Sequence, residues 1–296
     1  MATKYFTTTA DSGDGSFRIL WGSGMSSGDV IEPDPDIFKD SDVEILMSNY
    51  YATPQAGTYT LRNGAAKRII FNGQDTKYFF ALSRAGLNLT FEGVDFVNGK
   101  RAQNAPFAAT KYESLTFRRC GFYNNYGGTC GFLRDNSNTE SNILLESCVA
   151  YGNRNATSSG QVVDLAGSNK TTLVVKGCTI GNNYSPTKKD ITVEEDVGHV
   201  LTILDSLLAQ DIDFESVGFV DLENNDFQLS GSSPYTHGAT AFTPGDLDYL
   251  SLARKADGAI GAFEYYPSGA LDEVFGDWTD IARYALGIKT NPDTPL

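Results

Sequence analysis

The chain has little of what many catalytic and metal-binding sites need. It carries two histidines and four cysteines in 296 residues, with no CxxC spacing, so the sequence offers no ligand set for zinc. No apolar run approaches the roughly 20 residues of a membrane helix, so no membrane span is expected. The opening Met1-Ala2-Thr3-Lys4-Tyr5 lacks the apolar run of a signal peptide. A phosphate-cradling glycine loop, a Gly-x-Ser-x-Gly elbow and a dinucleotide fingerprint are all missing, which argues against nucleotide enzymes and α/β-hydrolases. Positive charge is also short: 23 Lys and Arg face 37 Asp and Glu, a net charge of −14. Such a field repels phosphate backbones and anionic lipid, so no nucleic-acid partner is expected. Neutral glycans or proteins fit better, and an acidic polymer would need a local cluster of cations or a bridging calcium ion.

What is abundant is glycine, with 30 copies, and aromatic side chains at 12%, a balance that suits a packed, turn-rich protein. Self-similarity sets the architecture. LTFEGVDFVNG from Leu89 recurs as LTFRRCGFYNN from Leu115, ILLESCVAYGN from Ile143, LVVKGCTIGNN from Leu173 and LTILDSLLAQD from Leu201, at steps of 26 to 30 residues. Inside each copy apolar residues alternate, two residues intervene, and alternation resumes, as two strands joined at a corner require. Stacked, the copies align Val94, Cys120, Cys148, Cys178 and Ser206 in one inward column and Phe96, Phe122, Ala150, Ile180 and Leu208 in the next. The cysteines read as a buried thiol column, with a disulfide between neighbouring coils as the lesser alternative; Cys130 falls in a loop.

Glu92, Arg118, Glu146 and Lys176 alternate in sign on the outer corner and predict a ladder of ion pairs. Asn98, Asn124, Asn125, Asn153, Asn182 and Asn183 close the strand pairs, where asparagine tolerates left-handed turns and bonds to its counterparts in adjacent coils. A further strand per coil starts near Phe79, Phe107, Phe132, Val162, Ile191 and Phe219. The fold class is therefore all-β, a right-handed parallel β-helix (solenoid) with capping segments and a short C-terminal helix. Residues 1–65 read as N-terminal strands and cap, 66–229 as coils, 230–268 as a closing segment and 269–296 as an amphipathic helix and tail. The apolar stripe of that helix is expected to lie on the chain's own coils.

TTTADSGDGSFRIL (7–20), DFQLSGSSP (226–234) and DGAIGAFEY (257–265), together with the coils, resemble a family of secreted or surface parallel β-helix proteins, the pectate-lyase-like and polymorphic outer-membrane-type repeats. The resemblance implies the fold. For activity it implies a mixture of lyases, hydrolases, adhesins and virion proteins. It also implies an extracellular, cell-surface or virion location, and it allows a homotrimer, as in phage tail fibres.

Candidate sites follow from the variable segments 99–106, 124–131, 152–161 and 182–190. Lys100, Tyr126, Arg154 and Tyr184 fall at one offset and Tyr123 and Tyr151 at another, and exposed tyrosines among cations suit stacking on sugar faces. Catalytic candidates are Arg134 and Asp164 on consecutive coils, with Glu194 and Asp221 as partner carboxylates for a lyase or glycosidase. Asp34 and Asp36 form the one acidic run that suits calcium; otherwise no cofactor is expected. Weighing these, the sequence favours a non-catalytic structural or adhesive β-helix that contacts polysaccharide or a surface protein, with a polysaccharide lyase or glycoside hydrolase as the alternative.

Overall fold

The structure is a computed structural model that describes residues 2–156, 162–183, 189–194, 197–255 and 257–265. Its frame is three parallel sheets wound by one chain. The first sheet has eight strands in the order Thr3–Phe6, Val30–Pro33, Gly57–Arg62, Leu87–Glu92, Ser114–Arg118, Ser141–Glu146, Thr171–Lys176 and Val200–Leu204. The second has seven strands, from Asp42–Leu46 to Leu207–Leu208, and the third six, from Tyr51–Ala52 to Ile191–Val193. This is a parallel β-helix, wound with the hand that parallel crossovers overwhelmingly take. Its sheets pass position 65 without a break, so coils begin earlier in the chain than the repeat alignment placed them.

Register confirms the inferred columns. Leu89, Leu115, Ile143, Leu173 and Leu201 are successive partners in the first sheet, and Phe96, Phe122, Ala150, Ile180 and Leu208 in the second. Rings fill the middle coils: Phe91 stacks on Phe117 at 5.3 Å and Phe122 on Phe132 at 4.1 Å. At the N-terminal end Phe17 and Trp21 pack onto Tyr51, at 4.9 and 6.4 Å between ring centres, and close the core.

The corner between the first and second sheets turns on one left-handed residue per coil. Gly93, Arg119, Ser147, Gly177 and Asp205 all have φ between 46° and 66°. Three of the five are not glycine, so the stack bears about 1 kcal/mol at each for an uncommon conformation. Immediately after this residue the chain dives inward, placing Cys120, Cys148 and Cys178 in the core. All four cysteines are buried and unbridged. Each column thiol donates to a carbonyl of the coil before: Cys120 to Phe91, Cys148 to Phe117 and Cys178 to Leu145, at 3.3 to 3.5 Å. The corner charges pair as read at Glu146, which holds Arg118 and Lys176 at 2.8 Å each, whereas Glu92 is held by Arg119 of the turn instead of by Arg118.

Past the last coil the chain folds back along the outside of the second sheet. Phe219–Asp221 and Asp226–Leu229 form an antiparallel hairpin there, so the strand near Phe219 is not a further coil. Residues 246–265 continue the cover. Their Tyr249 meets Arg68, whose guanidinium lies 4.4 Å from the ring centre and is paired with buried Asp95. The helix expected over 271–286 lies outside the described residues.

The asparagines at the second turn have two separate duties. Asn98, Asn124 and Asn182 supply positive φ (51° to 54°), while Asn125 and Asn153 turn inward as a buried ladder. Asn125 Nδ2 donates to Asn153 Oδ1 at 3.0 Å, and Asn153 Nδ2 donates to Phe122 O at 2.8 Å and Asn183 Oδ1 at 3.0 Å. Asn153→Ala is expected to cost about 2–4 kcal/mol, because it strands buried polar groups in two neighbouring coils. Asn124→Gly should stay within about 1 kcal/mol, since glycine takes the same φ freely. Urea midpoints at constant m-value measure both.

Candidate functional site

The buried asparagine ladder aims a row of side chains outward. Each ladder member precedes a residue of the variable side: Asn125 before Tyr126 and Asn153 before Arg154. Those residues belong to a short three-stranded parallel ladder, Lys100–Arg101, Tyr126–Gly127 and Arg154–Asn155. Main-chain bonds hold it, from Tyr126 N to Gly99 O (2.8 Å) and from Arg154 N to Asn125 O (2.9 Å). Lys100, Tyr126 and Arg154 are consecutive register partners and so share one column. The half-buried Tyr126 ring lies between two exposed cations, with Lys100 Nζ 5.9 Å and the Arg154 guanidinium 6.0 Å from its centre. At that range attraction to the ring is weak, and both cations keep most of their capacity for another partner.

The row extends towards the N-terminus through residues the sequence reading missed. Tyr50 and Tyr78, both half-buried, stack at 4.6 Å with 14° between planes, and Arg101 lies 4.3 Å from the Tyr78 ring centre. Arg101 Nη1 makes no hydrogen bond. The available signal was that each tyrosine sits within two residues of a third-sheet strand, Tyr51–Ala52 or Phe80–Ser83, but Tyr50 falls in the segment read as a cap and Tyr78, although next to the strand read near Phe79, precedes the first of the aligned repeat copies. Tyr184, the next expected member, lies outside the described residues.

Tyr123 and Tyr151 are a correction. They were expected to be exposed, yet each is 3% exposed beneath the returning C-terminal segment. Tyr123 Oη bonds Tyr249 Oη, and Tyr151 packs on Phe227 at 5.8 Å. Both occupy outward positions of the second sheet, and only the long-range return of residues 214–265 turns that surface into a second core. Neither ring is free to meet a sugar.

The catalytic candidates separate. Arg134 and Asp164 do face each other across adjacent strands of the third sheet, with Arg134 Nε 3.5 Å from Asp164 Oδ2. Arg134 Nε nonetheless makes no hydrogen bond. Burial pushes the Asp164 carboxyl up to about 6; Arg134 pulls against this, while Glu194 and Asp135 add to it. Glu194 is exposed just past strand Ile191–Val193. Asp221 belongs elsewhere, correcting its placement on this face. It lies in the antiparallel hairpin, where its carboxylate accepts from Asn224 N at 3.2 Å and Nδ2 at 2.7 Å.

Asp34 caps the short helix Pro35–Phe38, accepting from Asp36 N at 2.9 Å, and Asp36 is exposed. Among the described residues no three acidic, histidine or cysteine side chains gather as a metal site, and no helix is long and apolar enough to cross a membrane. On the opposite corner a cleft of about 390 Å³ lies between the charge ladder and residues 242–247. Its charges largely satisfy one another: Arg119 holds Glu92 at 2.5 Å and Lys176 holds Glu146.

No protein-family model matches the chain, and no curated protein does. Among solved structures the chain is similar to the one titled "Crystal structure of pectate lyase Pel9A", at 13% identity over 89% of this chain and 97% of that one, with a TM-score of 0.32. So distant an overlap says nothing about activity, and the fold stands on the sheet registers above.

The Asp164 carboxyl gives a signed pH dependence. Between about pH 4 and 6 the unfolded chain releases this proton while the folded chain keeps it, so the group lowers stability as pH rises through that window. The effect is roughly 3 kcal/mol at most. Asp164→Asn should flatten that part of the stability curve, read from denaturant midpoints between pH 4 and 8. A wild-type slope unaltered in the variant would mean that Asp164 titrates like an exposed carboxylate.

Proposed function

We propose that the protein is a non-catalytic β-helix scaffold that binds an acidic glycan along the side row Tyr50, Tyr78, Arg101, Lys100, Tyr126 and Arg154. The observation that carries this reading is the row's construction. Tyrosine faces and cations recur on successive coils, which are spaced about 4.8 Å apart, and a buried amide ladder fixes the main chain that carries Lys100, Tyr126 and Arg154. A tyrosine ring offers a flat apolar surface to a sugar, and neighbouring cations pair with uronate or sulfate groups. The net charge of −14 makes that pairing local: the row must supply the attraction that the protein as a whole opposes. A role of this kind suits an adhesive or structural element outside the cell, on a surface or in a virion fibre, as a single chain or a homotrimer; sedimentation separates the two assemblies.

A lyase or glycosidase is the second reading. It draws on the unbonded Arg134 Nε and on the raised Asp164 beside it. Against it stands the geometry of the pair: Asp164 is buried and turned to Arg134, and Asp221 is on another element.

Titration against a panel of uronate-bearing, sulfated and neutral polysaccharides tests the proposal. Tyr126→Ala is expected to weaken binding of an acidic chain by about three- to tenfold, the worth of one ring contact. Arg154→Ala should reduce both affinity and its salt dependence. Appearance of unsaturated uronates or new reducing ends, abolished by Arg134→Ala, would establish the second reading instead.

A further inference from the structure

Among the described residues the core is closed at one end and uncovered at the other. Leu201 and Ile203 of the last first-sheet strand continue two interior columns whose members Leu173 and Val175 are fully buried in the coil before. Ile203, however, is 37% exposed, and Leu201 and the neighbouring third-sheet residue Val193 are only partly covered. The side of this coil formed by Leu207 and Leu208 is sealed.

A second observation concerns the outward positions. The corner column reads Glu92, Arg118, Glu146 and Lys176 for four coils and then becomes Leu204, and the column through Asn88, Ser114, Asn142 and Thr172 becomes Val200. Both side chains are exposed, at 39% and 38%. Polar surface therefore turns apolar at the coil whose interior is uncovered. A strand meant to face water there would have kept its polar residues.

We infer that this end is a docking face for the chain's own residues 271–285. The chain returns to the last two coils just before the described residues stop: Gly261 N donates to Asp205 O at 2.8 Å and Ala262 N to Thr179 Oγ1 at 2.9 Å. Tyr265 follows three residues later, and the sequence then runs on to Leu296. Within that stretch Leu271, Val274, Phe275, Trp278, Ile281 and Ala285 recur at helical spacing and form one apolar stripe. The occupant is thus tethered about ten residues after Gly261, the chain's contact with the last coil, which gives it a high effective concentration over any separate partner.

The two tryptophans make the test direct. In a full-length Trp21→Phe protein excited selectively at tryptophan the emission comes from Trp278 alone, and docking predicts severalfold protection from acrylamide quenching in a monomer. Val200→Thr with Leu204→Lys gives the last strand the outward residues of the coil before it, a change the fold already accommodates at Thr172 and Lys176; it should abolish that protection while far-ultraviolet circular dichroism stays unchanged. An unprotected Trp278 overturns the inference, as does protection that the double variant leaves intact. Protection that appears only with a concentration-dependent dimer in sedimentation also overturns it, and assigns the face to a second copy.

Discussion

Each coil must re-enter the core at the same angular position as the last, and the left-handed corner residue is what enforces this. Gly93, Arg119, Ser147, Gly177 and Asp205 take one backbone conformation, so the following side chain always points inward and the columns stay in phase. A strand shifted by one residue would expose its whole apolar set. Side-chain chemistry at the corner itself is loosely constrained, which explains glycine, arginine, serine and aspartate at equivalent positions. Where another segment presses on the corner the constraint returns: a Cβ at Gly177 would lie 2.3 Å from the Phe242 ring.

How far the sequence could be read follows from this local rule. Between Leu89 and Leu208 the same pattern repeats, and the core columns, charge ladder and thiol stack could be assigned from alternation alone. Earlier coils turn the same corner over longer segments, 34–41 and 63–67, and their strands Gly57–Arg62 and Arg68–Asn72 lack the Leu-x-Phe and Asn-Asn marks, so they read as a cap. The failures at Tyr123, Tyr151 and Asp221 have a different origin. All three depend on a segment that returns from beyond the last coil, and its contacts with the second sheet are far apart in sequence: 76 positions between Tyr151 and Phe227, 154 between Asp95 and Tyr249 and 181 between Arg68 and Tyr249. Periodicity within coils carries no information about what lies over them.

The site shows the same division. Lys100, Tyr126 and Arg154 were legible because they sit at a fixed offset from the repeat, and Tyr50 and Tyr78 were not because their coils fall outside the recognised copies. Opposite uses of one residue type follow from position. Tyr126 lies on a side turn that nothing among the described residues crosses, whereas Tyr123, three residues earlier, lies on a sheet face that becomes an interior. The asparagines joining the two surfaces satisfy buried carbonyls and amides on the inside while fixing the main chain that carries the row on the outside.

The sealed thiols bear on the chemistry of the folded chain. Thiolates, not thiols, attack disulfides and oxidants, and burial raises both Cys130 and Cys148 away from that form. With all four sulfurs shut inside, the folded chain holds nothing for glutathione or an oxidase to act upon. Once wound, the coil stack keeps its covalent bonds unchanged under reducing and oxidising conditions alike.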